Sequence, residues 1–131
     1  MRLKLIFLLF ICFVLNACFK VERDCTAFKT GTFLFTYYAD GQEQSATFKR
    51  TGKFNIDYVN GKVDTSSVRW INDCEFILKK IHPKNMSEEK AIHMKILSTT
   101  DTSYTFEYQL AVKQANKSQR VEKGEAIKID E

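Results

Sequence analysis

The alternation of apolar and polar residues from Thr32 onward is the feature that most constrains the fold of this chain. It is clearest where Tyr104, Phe106, Tyr108 and Leu110 alternate with polar residues. Successive side chains of a β-strand point to opposite faces of the sheet, so a two-residue period is typical of a strand with one buried face. The pattern therefore predicts an all-β domain.

Short turn signals divide this region into eight predicted strands. Asp40-Gly41 and Asn60-Gly61 are typical of two-residue hairpin turns. The apolar positions that mark the strands are Phe33, Phe35 and Tyr37; Ala46 and Phe48; Phe54, Ile56 and Tyr58; Val68 and Trp70; Cys74, Phe76 and Leu78; Ile92, Met94 and Ile96; Tyr104, Phe106, Tyr108 and Leu110; and Ile127 and Ile129. Eight strands in hairpin succession predict an antiparallel up-and-down barrel, because closure removes exposed strand edges. An open sandwich is the alternative.

The N-terminus is typical of a cleaved signal peptide. Arg2 and Lys4 precede 11 apolar residues, Leu5 to Leu15. That run is too short to cross a bilayer as a helix, for which about 20 residues are needed. An uncleaved membrane anchor or an ordinary secretory peptide are the alternatives.

The sequence Leu-Asn-Ala-Cys at 15–18 matches a bacterial lipobox. Cleavage at this motif predicts a signal peptide at 1–17, a lipidated Cys18 that begins a tether at 18–30, and a β-barrel domain at 31–131. Two or three acyl chains such as palmitate anchor a protein stably to a membrane. Because no acidic residue directly follows Cys18, we expect the outer membrane, with the domain facing the periplasm; surface display is the alternative.

The charge balance argues against a nucleic-acid partner. The chain carries +4 at pH 7, and without Arg2 and Lys4 it has 18 basic and 16 acidic residues. Nucleic-acid-binding domains usually carry a dense basic patch.

Two cysteines remain after the signal peptide and Cys18 are set aside. Cys25 and Cys74 are predicted to form a disulfide, because compartments outside the inner membrane are oxidising. The alternative is a pair of separate thiols.

No catalytic or metal-binding pattern stands out in the sequence. The spacing of His82 and His93 matches no zinc motif, and neither a nucleophile elbow nor a phosphate-binding glycine loop is present. We therefore predict no catalytic residues, no metal and no cofactor, and an enzyme is the least favoured class.

The aromatic residues suggest a binding site. An eight-stranded barrel has room for one small ligand. Tyrosine hydroxyls in an apolar lumen need partners, which a ligand could supply. The residues predicted to line such a cavity are Phe35, Tyr37, Tyr58, Trp70, Tyr104, Phe106 and Tyr108; packing in a solid core is the alternative.

Two short motifs resemble those of lipocalin-type barrels. Gly31-Thr32-Phe33 is similar to their Gly-x-Trp motif, and Asp101-Thr102-Ser103-Tyr104 is similar to Thr-Asp-Tyr. The resemblance implies a lipocalin-like architecture, in which a basic side chain packs on the residue at Phe33. Lys128 is the positional candidate.

The stretch from Val68 to Glu75, Val-Arg-Trp-Ile-Asn-Asp-Cys-Glu, resembles that of small uncharacterised lipoproteins of Bacteroidota. This resemblance covers most of residues 18–131 and implies no established activity. The sequence thus favours a membrane-anchored barrel that binds a small apolar or amphipathic ligand. The alternative is a structural or interaction module, such as an envelope assembly factor or an inhibitor, with a solid barrel that contacts an envelope protein.

Overall fold

The computed structural model describes residues 23–130 and confirms the predicted all-β barrel. Eight antiparallel strands pair in chain order, and the first pairs with the last to close the barrel. The strands are β1 (Gly31–Ala39), β2 (Gln42–Arg50), β3 (Phe54–Val59), β4 (Lys62–Asn72), β5 (Glu75–Lys80), β6 (Ile92–Thr99), β7 (Ser103–Leu110) and β8 (Glu122–Asp130).

Both predicted hairpin turns are present. Asp40 and Gly41 have φ angles of 52° and 73°, and Asn60 and Gly61 have φ angles of 49° and 72°. Two consecutive positive φ angles are what a type I′ turn requires. These turns lie at the same end of the barrel as the long loops 81–91 and 111–121, and we call this end the mouth.

The other end of the barrel contains the hydrophobic core. Phe33, Phe76, Ile96, Tyr104 and Ala126 are at most 1% exposed there. The Phe33 ring stacks on Phe48 at 4.9 Å and meets Tyr104 edge-on at 5.7 Å, which are favourable aromatic geometries. We call this end the sealed end.

Residues 23–30, which we call the plug, close the sealed end. Their short 3-10 helix, Thr26–Phe28, inserts the ring of Phe28 into the core, where it is 1% exposed. Arg23 Nη1 donates to the Ile96 carbonyl at 2.7 Å, and Lys29 forms an ion pair with Asp73 at 2.7 Å. This segment was predicted as part of the tether, but it packs as part of the barrel. The barrel, its core and its plug thus all lie within residues 23–130.

The predicted disulfide is confirmed. Cys25 in the plug is bonded to Cys74, which lies between β4 and β5. Cys25 is 2% exposed, so the bridge is an extension of the core. It fastens the plug to the barrel wall.

The inward face of β3 differs from the sequence prediction. Asp57 pairs with the buried Phe48, and directly opposed residues share a face, so Asn55 and Asp57 point inward. Phe54 and Tyr58 are 41% and 44% exposed on the outer surface. The prediction that Tyr58 lines the lumen is therefore wrong, because the apolar face of this strand is its outer face.

Gly31 is the glycine whose backbone most restricts substitution. Its φ is 128°, and a β-carbon there would lie 2.6 Å from Lys128 Cε and 2.9 Å from the Asp130 carbonyl oxygen. We expect Gly31→Ala to lower the free energy of unfolding by about 1–3 kcal/mol, because the disfavoured φ angle and the clash with the backbone each destabilise the folded state. Urea denaturation measures the change.

The matched control for Gly31→Ala is Gly52→Ala, because a β-carbon at Gly52 meets nothing within 4 Å. It should change the stability by no more than about 0.5 kcal/mol. Equal effects of the two substitutions would show that Gly31 is not a constrained position.

Candidate functional site: a cup at the mouth of the barrel

The inward-facing side chains become more exposed from the sealed end toward the mouth. On β1 Phe33 is fully buried whereas Phe35 and Tyr37 are half-buried, and on β7 Tyr104 is buried whereas Tyr108 is half-buried. An inward side chain can be exposed only where water reaches the lumen. The mouth half of the lumen is therefore open to water above the packed sealed end, and we call it the cup.

One wall of the cup is aromatic and aliphatic. Rings follow one another along β1 from Phe35 to Tyr37 at 5.7 Å, and along β7 from Phe106 to Tyr108 at 6.2 Å. The half-buried aliphatic members of this lining are Leu78, Ile92 and Leu110. No described residue hydrogen-bonds the hydroxyls of Tyr37 and Tyr108, so both are available to a ligand.

The opposite wall, formed by β3 to β5, is polar. Its inward positions include Asn55, Asp57, Asp64, Ser66 and Lys80, which the strand pairing places side by side. Because β3 and β7 are four strands apart in an eight-stranded barrel, this wall faces the aromatic one across the lumen. The cup is amphipathic.

Lys80 forms ion pairs with two of the acidic groups on this side of the mouth. Its Nζ lies 2.6 Å from Asp64 and 3.4 Å from Glu88, which reaches in from the loop 81–91. The hydrogen bond that Lys80 donates to Asp64 raises the pKa of Lys80, and desolvation partly offsets the rise, so Lys80 stays protonated at neutral pH.

Asp57 lies deeper in the polar wall and is less well compensated. Desolvation by burial raises the pKa of its carboxyl, the repulsion of Asp64 adds to the rise, and a hydrogen bond from Asn55 opposes it. That bond, from Asn55 Nδ2 to Asp57 Oδ1, is 3.0 Å long. No described residue donates to the other oxygen, Oδ2.

Arg50 connects the floor of the cup to the plug. It is 2% exposed, and it donates from Nε to Asn55 Oδ1, from Nη1 to the Phe28 carbonyl, and from Nη2 to the Tyr104 hydroxyl. Its guanidinium also lies 4.5–5.3 Å from the ring centres of Phe33, Phe48 and Phe76. Cations are attracted to aromatic faces at such distances.

Arg50 is therefore the basic side chain that packs on Phe33, and the prediction of Lys128 for this role is wrong. The register of β1 and β2 pairs Gly31 with Arg50, which points Arg50 inward at the sealed end. Lys128 Nζ instead donates to the Ala27 carbonyl at 3.1 Å and helps to hold the plug.

The predicted lining residues fall into three groups. Phe35, Tyr37 and Tyr108 line the cup, whereas Tyr104 and Phe106 belong to the packed lumen below it. Trp70 points inward next to Phe76 at 4.5 Å, but it lies near the sealed end beneath Lys29. Tyr58 is on the outer surface. Cys18 lies outside the described residues, and its lipidation stays a prediction.

Sequence reasoning missed the polar half of the cup. Asp57 lies between Ile56 and Tyr58 in the sequence, so the alternation assigns those apolar neighbours, and not Asp57, to the inward face. The one usable signal was the pairing with Phe48 that the hairpin geometry imposes on Asp57. That register can be assigned only when the bounds of the turn at 51–53 are known.

A second concave region lies outside the lumen at the sealed end. This depression of about 550 Å³ is lined by Arg23, Asp24, Ala27, Phe28, Thr99, Thr100 and Asp101. It is shallow and mostly polar, and its one aromatic residue, Phe28, is buried in the core. It offers a ligand less apolar contact than the cup does.

The described residues contain no group of three or more His, Cys, Asp or Glu side chains placed to hold a metal ion. His93 lies within 2.9 Å of Glu75 as an isolated pair. In residues 23–130 no helix is long and apolar enough to cross a membrane.

Comparison with known proteins identifies no relative: no protein-family model, no curated protein and no solved structure matches this chain.

Proposed function

We propose that this protein is a membrane-anchored envelope lipoprotein that binds a small apolar or amphipathic ligand in the cup. The observation that supports the proposal is the difference between the two ends of one lumen. Phe33 and Tyr104 are at most 1% exposed, whereas Phe35, Tyr37 and Tyr108 on the same two strands remain half-buried.

The aromatic rings of the cup are only partly covered by the protein. Burying apolar area is worth about 25 cal/mol per Å², so rings left open to water in a concave site provide binding energy to a ligand that covers them. The plug supports the proposal, because it closes the sealed end of the barrel and leaves the mouth as the entrance to the cup. The proposed anchor is an acylated Cys18 in the outer membrane, with the domain facing the periplasm. This part of the proposal rests on the lipobox alone.

The outer surface favours a second candidate function, the recognition of a protein partner. Tyr58 and Val63 are opposite each other on β3 and β4, and they are 44% and 64% exposed. With Phe54 they form an apolar strip on the outer wall. We rank this candidate second, since exposed apolar residues are common on folded proteins and the strip is not concave.

The proposal can be tested with the neutral fluorescent probe N-phenyl-1-naphthylamine, titrated into a soluble form that begins at Phe19 and is secreted so that the disulfide forms. We expect saturable binding of one probe per barrel. Gln44 pairs with Tyr37 and points into the cup, so Gln44→Trp should weaken binding by about tenfold or more by occupying the space.

The matched control is Ser45→Trp, because Ser45 follows Gln44 on β2 and is exposed on the outer surface. It should leave probe affinity unchanged, and urea denaturation would verify that both variants are folded. The cup would be overturned as a binding site if the probe did not bind, or if the two substitutions changed its affinity equally.

A further inference from the structure

We propose that the ligand of the cup is an amphipath with a cationic head group, which pairs with the carboxylate of Asp57. This inference rests on the proposed function, because it names the chemical class of the ligand for the same cup. Among the acidic groups that we describe on the polar wall, Asp57 is the one to which no basic side chain is bonded.

Asp57 is placed to meet a ligand inside the lumen. It is opposite Phe48 on one neighbouring strand and Asp64 on the other, and all three point inward. Asn55 occupies Oδ1, and Oδ2 receives no hydrogen bond from residues 23–130. No described buried polar side-chain atom lacks a partner, so Oδ2 is open to solvent in the cup rather than enclosed.

The other charged groups of this wall already have partners. Lys80 bridges Asp64 and Glu88. Arg50 bonds to Phe28 and Tyr104 and reaches Asp57 only through the amide of Asn55. With Lys62, which lies at the rim on the same face as Asp64, the wall contains three basic and three acidic groups, and Asp57 is the carboxylate that has no basic side chain bonded to it.

This arrangement favours a cation over a neutral or an anionic group. Asp57 and Asp64 are directly opposed on adjacent strands, and like charges in that position repel. A bound cation would relieve the repulsion, whereas an anionic head group would add to it. Burial and the repulsion of Asp64 raise the pKa of Asp57 by more than the hydrogen bond from Asn55 and the charges of Arg50 and Lys80 lower it.

The aromatic wall opposite Asp57 binds the apolar part of the ligand. Tyr108 lies across the lumen from β3, so an apolar tail packs on its ring while the head group reaches Asp57. The same ring faces attract a cation that passes over them. The ligand therefore needs one positive charge at the end of an apolar segment.

Three competitors with the same ten-carbon tail test the head group: protonated decylamine, decanol and decanoate, each displacing N-phenyl-1-naphthylamine at neutral pH. We expect decylamine to displace the probe at a concentration about tenfold lower than decanol, and decanoate to be the weakest. Asp57→Asn should abolish the preference for decylamine over decanol.

Asp40→Asn is the control, since Asp40 is exposed in a turn at the mouth and the substitution changes the net charge equally. Asparagine tolerates the positive φ of that turn. The cationic preference should persist in this variant. Equal competition by the three compounds, or a preference that survives Asp57→Asn, would refute the inference while leaving the cup intact. Absence of probe binding would refute the cup itself.

Discussion

Replacing Arg50 with alanine is expected to lower the free energy of unfolding by about 3–5 kcal/mol, the largest effect of any single substitution that we predict. The change removes three hydrogen bonds and leaves the Phe28 carbonyl and the Tyr104 hydroxyl without a donor in a dry core. It also leaves a cavity between Phe33, Phe48 and Phe76. Urea denaturation followed by circular dichroism measures the loss.

Two further variants make the Arg50 prediction specific. Lys49→Ala changes the neighbouring residue of β2, which is exposed, and should cost no more than about 0.5 kcal/mol. Arg50→Lys keeps the charge but not the planar set of donors of the guanidinium. Its free energy of unfolding should therefore lie between those of wild type and Arg50→Ala. If Arg50→Ala were no more destabilising than Lys49→Ala, the guanidinium would not hold the plug to the core.

Removing the disulfide is expected to cost about 4 kcal/mol, the estimate of the chain-entropy model for a loop closed across 49 residues. The double variant Cys25→Ala, Cys74→Ala tests this expectation. Alanine is a suitable replacement because it is apolar and Cys25 is buried among apolar neighbours. A domain of this size has a total stability of about 5–15 kcal/mol. The loss would therefore be visible as a large decrease in the urea midpoint.

The disulfide prediction has an internal control. Wild-type protein denatured in the presence of a reductant should show nearly the same stability as the double variant, because neither has the covalent link and the two differ only in the thiol groups. A loss of less than about 1 kcal/mol would mean that the remaining contacts of the plug, such as the pair of Lys29 with Asp73, hold it without the bond.

The sequence predicted the strands and the barrel because its signals are local. Alternation on β7 and the dipeptides at 40–41 and 60–61 each depend on a few adjacent residues. The disulfide followed from there being only two cysteines left to pair. Those inferences needed no knowledge of which strands face one another.

The failed predictions required long-range information. The apolar residues of β3, including Tyr58, lie on the outer face, because the pairing of Asp57 with Phe48 fixes the opposite face inward. Arg50 was not recognised because a charged residue at the end of a strand is usually exposed, and its partners Phe28 and Tyr104 are 22 and 54 residues away. Tertiary register overrode the local pattern at both positions.

The most direct test of the cup is a map of backbone amide chemical shifts in the soluble protein, recorded while N-phenyl-1-naphthylamine is added. We predict the largest shifts at residues of the mouth half of the lumen, namely Phe35, Tyr37, Leu78, Ile92 and Tyr108. Shifts confined to the outer strip of Phe54, Tyr58 and Val63, or to the depression beside Thr99, would contradict the account and place the binding surface outside the barrel.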